Sequence, residues 1–327
     1  MRLVLASRAV RHSFVALPTL CAALFLVAGC AGDEHTPKTA ATMTAPEARD
    51  MLADLQAARG LKPSPPRAVK NAEELLDIVM RDDIDRFEDA ARFLEGKGGV
   101  DAITMSATVE LLWSDAYGTV SLVARELGHR AEVEVARLEE KEDSGREFTK
   151  DDRRRLDEAK QRVEFDGKAE MALGVLSREH LASGSDIARE AIRQFPSDER
   201  TLRVAAFYYL STGTWGRYDE VMASFRDVEA DDAGLLFLRA LEALRRRNAR
   251  DEARALLKQA LGKNPRLVRA QAKLVLIQED IATSYTELTR LEAAAPAHPI
   301  VRITGPLIKS EYQLSQSFER ARGAGGS

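Results

Sequence analysis

The clearest hydrophobic pattern along the chain lies in residues 234–265, where apolar residues recur at intervals of three and four. In the second half of this stretch Ala253, Leu257 and Ala260 share one helical face, and charged residues lie mostly away from it. The first half has its own apolar side, formed by Leu235, Phe237, Leu238, Leu241 and Leu244. Two amphipathic helices with a short connection must pack antiparallel, so we predict a helix pair that ends before Pro265.

Positions where a helix pair is expected to end recur along the C-terminal half of the chain with a spacing of 34 or 35 residues. They lie at Pro196, near Asp231, at Pro265 and at Pro299. A period of this length is typical of repeat architectures, in which a helix pair cannot bury its apolar side alone and stacks on its neighbours. We therefore expect antiparallel helix-pair repeats in residues 183–319.

The segment 234–265 resembles a tetratricopeptide repeat (TPR). Its repeat-defining residues match the small, bulky, small and proline positions of that family's second helix: Ala253, Leu257, Ala260 and Pro265. The neighbouring segments, residues 199–233 and 268–299, keep only part of the pattern, so the resemblance covers about a third of the chain. It implies a TPR-like solenoid with a concave groove. A degenerate helical repeat of another kind is the alternative.

The middle of the chain, residues 100–182, carries the longest amphipathic signals. An apolar stripe with steps of three and four residues runs through its first half. Gly118 and Gly128 interrupt this stripe, and a glycine inside a helix costs roughly 1 kcal/mol. We therefore expect a helix with a break near Tyr117.

A polar turn separates this stripe from a second one. Thr149, followed three residues later by Asp152, is a typical helix start, so the sequence predicts a long helical hairpin with its tip near Arg146. Residues 46–99 predict shorter helices, one of which begins with a capping box at Asn71. No segment alternates with a period of two over more than a few residues, which predicts an all-α protein.

The first 29 residues have the pattern of a signal peptide. A basic start and an apolar run lead to Val27-Ala28-Gly29-Cys30. This ending resembles the lipobox of bacterial lipoproteins, which implies that Cys30 is acylated and becomes the mature N-terminus. The alternative is a buried cysteine in an ordinary signal or a membrane anchor. Several acyl chains would hold the protein at a membrane, because each buried methylene contributes about 0.8 kcal/mol.

Residues 30–45 have no periodicity and are interpreted as a flexible tether. Ala31 stands where, in well-studied lipoproteins, an aspartate retains the protein at the inner membrane. Its absence favours the outer membrane, facing the periplasm. The expected organisation is a signal peptide (1–29), the tether (30–45), N-terminal helices (46–99), the long hairpin (100–182), TPR-like repeats (183–319) and a disordered tail (320–327).

Charge and cysteine content narrow the classes of function. The chain has a net charge of −4, and loss of the leader with its three arginines lowers it to −7. A mildly acidic protein is a poor candidate for binding nucleic acid. Cys21 leaves with the leader and Cys30 is expected to be acylated, so the mature chain has no cysteine pair for a disulfide.

One constellation in the sequence has residue types suited to catalysis or metal binding. Glu126 and His129 form a Glu-x-x-His pair on a predicted helix, followed by Glu132. A di-iron site in a helical bundle needs a second such pair and further carboxylates, and the sequence has no second pair. We interpret these residues as a solvated charged face. We expect no metal, no cofactor and no catalytic residues.

Five charged residues form a candidate partner groove. The TPR resemblance places Glu242, Arg245 and Arg246 on the concave side of a first helix, and Arg266 and Arg269 at the edge of the same groove. A basic groove suits an acidic peptide or the C-terminal carboxylate of another polypeptide. The alternative is a hydrated helix end, where arginines lie near exposed carbonyl groups.

These observations together favour a membrane-anchored periplasmic lipoprotein that acts as a helical-repeat scaffold. It would bind a protein partner in the assembly or maintenance of an envelope complex. The second hypothesis is an accessory solute-binding component of a transporter, which an apolar cavity between the long helices and the repeats would favour. A helical enzyme with an unrecognised site is the third.

Overall fold

The computed structural model describes residues 43–58, 65–145 and 147–324, which are 82% helical and contain no strand. This confirms the all-α prediction. Within these residues there are thirteen α-helices: α1 (Ala45–Ala58), α2 (Ala72–Met80), α3 (Phe87–Leu94), α4 (Val100–Asp143), α5 (Lys150–Gln194), α6 (Glu199–Ser211), α7 (Trp215–Ala223), α8 (Ala233–Arg247), α9 (Arg250–Lys263), α10 (Val268–Ile277), α11 (Ile281–Ala294), α12 (Pro299–Ile303) and α13 (Gly305–Ala324). The predicted signal peptide and nearly all of the tether lie outside the described residues.

The predicted long hairpin is present as α4 and α5, which pack against each other along their length. The start of α5 is a capping box. The Thr149 hydroxyl accepts from the Asp152 N–H at 3.1 Å, and the Asp152 carboxylate accepts from the Thr149 N–H at 2.9 Å. This confirms the predicted cap. The predicted tip at Arg146 lies outside the described residues.

The expected break near Tyr117 is wrong, because α4 continues from Val100 to Asp143. Gly118 lies where the two long helices approach closely: a Cβ atom there would be 3.1 Å from Oγ of Ser177. Ser114 and Ser177 exchange hydrogen bonds across this seam, each hydroxyl donating to the other residue's carbonyl at 2.8 Å. The close contact offsets the low helix propensity of glycine, so the helix stays intact.

Two further boundaries differ from those expected. Helix α5 runs to Gln194 rather than ending at residue 182, because Ala188 continues its apolar stripe and packs against Ala107 and Val204. The last helix, α13, reaches Ala324, so the backbone of residues 320–324 is helical rather than a disordered tail. Arginine and alanine are good helix formers, and no proline interrupts this stretch.

The C-terminal half contains consecutive helix pairs, α6 with α7, α8 with α9, and α10 with α11, each joined by a short turn. The predicted pair at residues 234–265 corresponds to α8 and α9. Ala253, Leu257 and Ala260 are fully buried in it, and Pro265 lies in the turn that follows. Asn248 closes the turn between the two helices with a φ of 49°, a left-handed conformation that asparagine tolerates.

One continuous core joins the hairpin, α2 and α3 to these helix pairs. It includes Phe87 of α3, Leu111 of α4 and Leu241 of α8, all of them almost completely buried. Helix α1 packs separately on the hairpin, where Ala48 contacts the cluster of Ala172 and Leu176. Because the hairpin and α2 lie against the helix pairs, residues far apart in the sequence meet at the predicted groove.

Candidate functional site

The five groove residues come from the end of α8, the turn before α10 and the first turn of α10. Glu242, Arg245 and Arg246 occupy the last turns of α8, Arg266 precedes α10, and Arg269 is in its first turn. Helices α2 and α4 supply bonding partners to Arg245, Arg266 and Arg269. Exposure divides the five residues into an inner set, which is mostly buried, and an outer set near solvent.

Arg245 belongs to the inner set. Its guanidinium lies 2.5 Å from Asp115 of α4, and the ammonium group of Lys273 of α10 lies 3.1 Å from the same carboxylate. Burial raises the pKa of Asp115, but the positive charges of Lys273 and Arg245 outweigh burial, so the pKa is lowered overall. The ionised carboxylate therefore connects α4 with α8 and α10.

Arg269 and Glu242 complete the inner set. The Arg269 guanidinium donates to the Val79 carbonyl at the end of α2 and lies 5.9 Å from the centre of the Phe237 ring. Burial lowers the pKa of Arg269, and the nearby Asp82 opposes this effect. The Glu242 side chain is 7% exposed and bonds to Arg247 at 3.0 Å. These charges are therefore engaged within the protein itself.

The outer set consists of Arg246 and Arg266. Arg246 lies over the ring of Trp215 at 5.6 Å and bonds to Asp219 at 2.9 Å, with 37% of its side chain exposed. Arg266 pairs with Asp77 and is 65% exposed. Exposed ion pairs contribute little to stability, so these two arginines can exchange their partners for those of another molecule at small cost.

Beside Arg266 there is an open cleft of 560 Å³, which we call the outer cleft. It lies between α2 and the turn before α10. Its lining consists of Lys70, Asn71, Glu73, Glu74, Leu76, Asp77, Met80, Asn264 and Arg266. Leu76 is 50% exposed, which is unusual for a large apolar side chain in this protein. With Met80, it gives the outer cleft a small apolar contact surface among seven polar or charged lining residues.

A second concave feature, which we call the inner cavity, has a volume of 230 Å³ and lies between the hairpin, α1 and the segment around α12. Most of its lining is apolar. The apolar residues are Leu52, Leu55, Ile84, Trp113, Tyr117, Val120, Phe165, Ala169, Leu173, Pro299 and Ile303, and the polar ones are Gln56, Asp85, Glu88 and Arg302. A cavity of this kind is the feature expected of a solute-binding protein.

The aromatic wall of the inner cavity is held by a cluster of rings. Trp113 stacks on His180 with ring centres 4.0 Å apart and planes at 18°, and Phe87 meets Trp113 edge-on at 6.0 Å. The His180 ring is held in turn by Glu110, 2.8 Å from its Nδ1 atom. Burial raises the pKa of Tyr117, so its hydroxyl remains neutral at physiological pH.

Sequence reasoning did not find this cavity. Trp113 and Tyr117 are one helical turn apart, which was a visible signal of a shared aromatic face. The opposite walls come from remote segments, such as Leu52 of α1 and Pro299 at the start of α12. No spacing in the sequence links those segments to Trp113.

The Glu-x-x-His constellation does not converge on one point. Glu126 is buried and bonds to Arg130 at 3.3 Å, whereas the His129 side chain is 68% exposed and lies 3.5 Å from Glu132. In the part of the protein that the structure describes, no group of three or more His, Cys, Asp and Glu residues is arranged to hold a metal ion.

The lipid-attachment residue, Cys30, lies outside the described residues. Among the helices that are described, none combines the length and apolar character needed to cross a membrane. In comparisons with known proteins, the chain matches no family model, no curated protein and no solved structure.

Proposed function

We propose that the protein is a lipid-anchored lipoprotein of the bacterial envelope that serves as a helical-repeat scaffold for a protein partner. The anchor faces the periplasm from the outer membrane. The proposed lipid anchor is supported by the order of signals at the start of the sequence. Basic residues and an apolar run are followed by Val27-Ala28-Gly29 before Cys30, and then by a polar tether.

Acylation of Cys30 is tested by metabolic labelling with an alkyne analogue of palmitate in a bacterial host. Wild type should incorporate the label, and Cys30→Ala should not, because the thiol is the acyl acceptor. Cys21→Ala is the matched control and should remain labelled, since Cys21 leaves with the leader. Labelling of the Cys30→Ala variant would remove the lipoprotein assignment.

The scaffold role rests on the helix pairs. We propose that α6 to α11 are TPR-like repeats of a short solenoid, which is supported by the complete burial of Ala253, Leu257 and Ala260 between α8 and α9. The inner residues of the predicted groove, Glu242, Arg245 and Arg269, bond to other groups of the same protein. We therefore propose the outer cleft as the partner surface, with Leu76 as an apolar contact and Arg266 as a receptor for a carboxylate.

The partner is identified by co-purification from detergent-solubilised membranes and mass spectrometry. Leu76→Glu and Arg266→Glu should both lose the same partner, because one inserts charge into the apolar contact and the other reverses the charge at the rim. Val228→Glu is the control, since Val228 is 49% exposed and lies outside the outer cleft. Unchanged capture by both cleft variants would exclude this surface.

A second function, an accessory solute-binding component of a transporter, is favoured by the inner cavity. A cavity of 230 Å³ with an apolar lining gives space for a small molecule. The two functions do not exclude each other, because the outer cleft and the inner cavity share no lining residue among those described.

A further inference from the structure

We propose that the inner cavity is a binding site for a small molecule with one aromatic ring and a short polar arm. This inference rests on the second function proposed above and specifies its ligand. Four features carry it: the size of the inner cavity, its aromatic wall, the composition of its mouth and the helix that covers it.

The size of the inner cavity sets the size of the ligand. An engineered cavity of about 150 Å³ with an apolar lining is known to bind benzene. The inner cavity, at 230 Å³, exceeds that volume by about the space of a short substituent. A ligand with one ring and a short arm therefore fits within this volume.

The wall favours a ring over an aliphatic group. Trp113, Tyr117 and Phe165 all line the inner cavity, and Trp113 is fixed between His180 and Phe87. Aromatic pairs in stacked or edge-to-face geometry contribute about 0.5–1.5 kcal/mol beyond the area that they bury. Because the ring of Trp113 is already held, little conformational entropy is lost when a ligand packs on it.

The mouth of the inner cavity favours a polar arm on the ligand. Its charged lining residues are Asp85, Glu88 and Arg302, two carboxylates against one guanidinium. Arg302 lies 3.5 Å from Asp85, and Glu88 bonds to the exposed Arg92 at 2.8 Å, so both of these cations already have a carboxylate partner. Both carboxylates are paired as well, so the mouth offers hydrogen-bonding groups to a polar arm without selecting its charge.

Helix α1 covers one side. Its residues Leu52 and Leu55 line the inner cavity, and α1 is fixed to α5 by Ala48 and by the ion pair between Arg49 and Glu179. This helix directly follows the proposed membrane tether in the sequence. The segment nearest to the proposed anchor thus forms one wall of the ligand site.

The test uses three compounds that share a phenyl ring and a two-carbon arm: 2-phenylethylamine, 2-phenylethanol and phenylacetate. In the Trp215→Phe variant, Trp113 is the one remaining tryptophan and reports from the cavity wall. We expect a saturable change in its fluorescence with all three compounds, because the ring packs on the aromatic wall and the arm reaches the polar groups at the mouth. No saturable change with any of the three would overturn the inference.

Two variants test the location of the site. Ala169→Phe fills the inner cavity and should abolish binding, whereas Ala182→Phe, on the exposed side of the same helix, should leave it unchanged. Ala169→Leu, a smaller filling, replaces Ala169→Phe if the phenylalanine variant does not fold by circular dichroism. Binding that survives both cavity-filling changes would contradict the assignment.

Native mass spectrometry of the protein purified from membranes separates this inference from the solute-binding function. A bound aromatic molecule that is lost in the cavity-filling variant supports both. A bound molecule of another class overturns the aromatic ligand and leaves the solute-binding function in place.

Discussion

At the scale of single residues, one buried carboxylate decides how the predicted groove is used. Asp115 receives Arg245 and Lys273, and both bonds bridge elements that are remote in the sequence. The sequence predicts Arg245 as a partner-binding residue. In the structure its guanidinium bonds to Asp115 and holds the hairpin against the helix pairs. Of the four groove arginines, Arg246 and Arg266 keep the larger exposed fractions.

The substitution Asp115→Asn should therefore destabilise the protein. Removing one partner from a buried ion pair leaves uncompensated charge and costs about 3 kcal/mol. Urea denaturation measures this loss in the free energy of unfolding. Asp101→Asn is the control, because Asp101 is 83% exposed and its pair with Arg200 lies at the surface. A similar small effect of both substitutions would contradict the role of Asp115.

The same residue predicts a pH dependence. The folded state lowers the pKa of Asp115, so its contribution to stability is complete above the unfolded pKa of about 3.9. This contribution is lost as the pH falls below that value and through the lowered folded pKa. Denaturation curves of wild type and Asp115→Asn should converge in stability as the pH is lowered through this range. A constant difference at all pH values would argue against the ionic role.

At the scale of elements, the hairpin depends on small residues at its seam. Gly184 of α5 faces α4, where a Cβ atom would lie 3.0 Å from Cγ of Leu111 and 3.1 Å from Cβ of Glu110. Leu111 is 1% exposed and has no space to move. A glycine here lowers helix propensity, and the close approach that it permits more than offsets that cost.

Two glycine-to-alanine changes in α5 separate these effects. Gly184→Ala should destabilise the protein by about 1–2 kcal/mol, because overpacking against Leu111 exceeds the gain in helix propensity. Gly167→Ala should stabilise it by up to about 1 kcal/mol, because a Cβ atom at Gly167 meets no atom of the described residues within 4 Å. Thermal unfolding followed by circular dichroism should show shifts of opposite sign. Stabilisation by both would disprove the tight seam.

At the scale of the whole molecule, the hairpin and the helix pairs share one core. A free solenoid has contacts only between neighbouring repeats, and its parts can unfold separately. Here Phe87, Leu111 and Leu241 belong to the same buried cluster, and Asp115 adds ionic bonds between the two parts. This arrangement predicts cooperative unfolding.

The two tryptophans test this cooperativity. Trp113 reports on the hairpin and Trp215 on the helix pairs, so Trp215→Phe and Trp113→Phe each leave one probe. In guanidinium chloride, the two fluorescence transitions should coincide with each other and with the loss of helix by circular dichroism. An earlier transition at Trp215 would indicate that the helix pairs unfold as an independent unit.

Local patterns were sufficient to predict the helices, the hairpin and several caps. Periodicity at Ala253, Leu257 and Ala260 identified a buried face, and Thr149 with Asp152 identified a helix start. These features depend on residues within a few positions of one another, which is the range over which helix geometry acts. The break expected near Tyr117 was wrong because Gly118 acts through a contact with the other long helix.

The amino-acid pattern was enough to establish the all-α class and the antiparallel pairing of neighbouring helices, since both follow from interactions along one helix or across a short turn. The tertiary structure determined which surfaces of those helices remain accessible to a partner or a ligand. Arg245 bonds to Asp115, which is remote from it in the sequence. The lining of the inner cavity likewise combines Leu52, Trp113 and Pro299 from distant segments. Such contacts depend on how several apolar faces bury one another at once, and no local spacing encodes that arrangement.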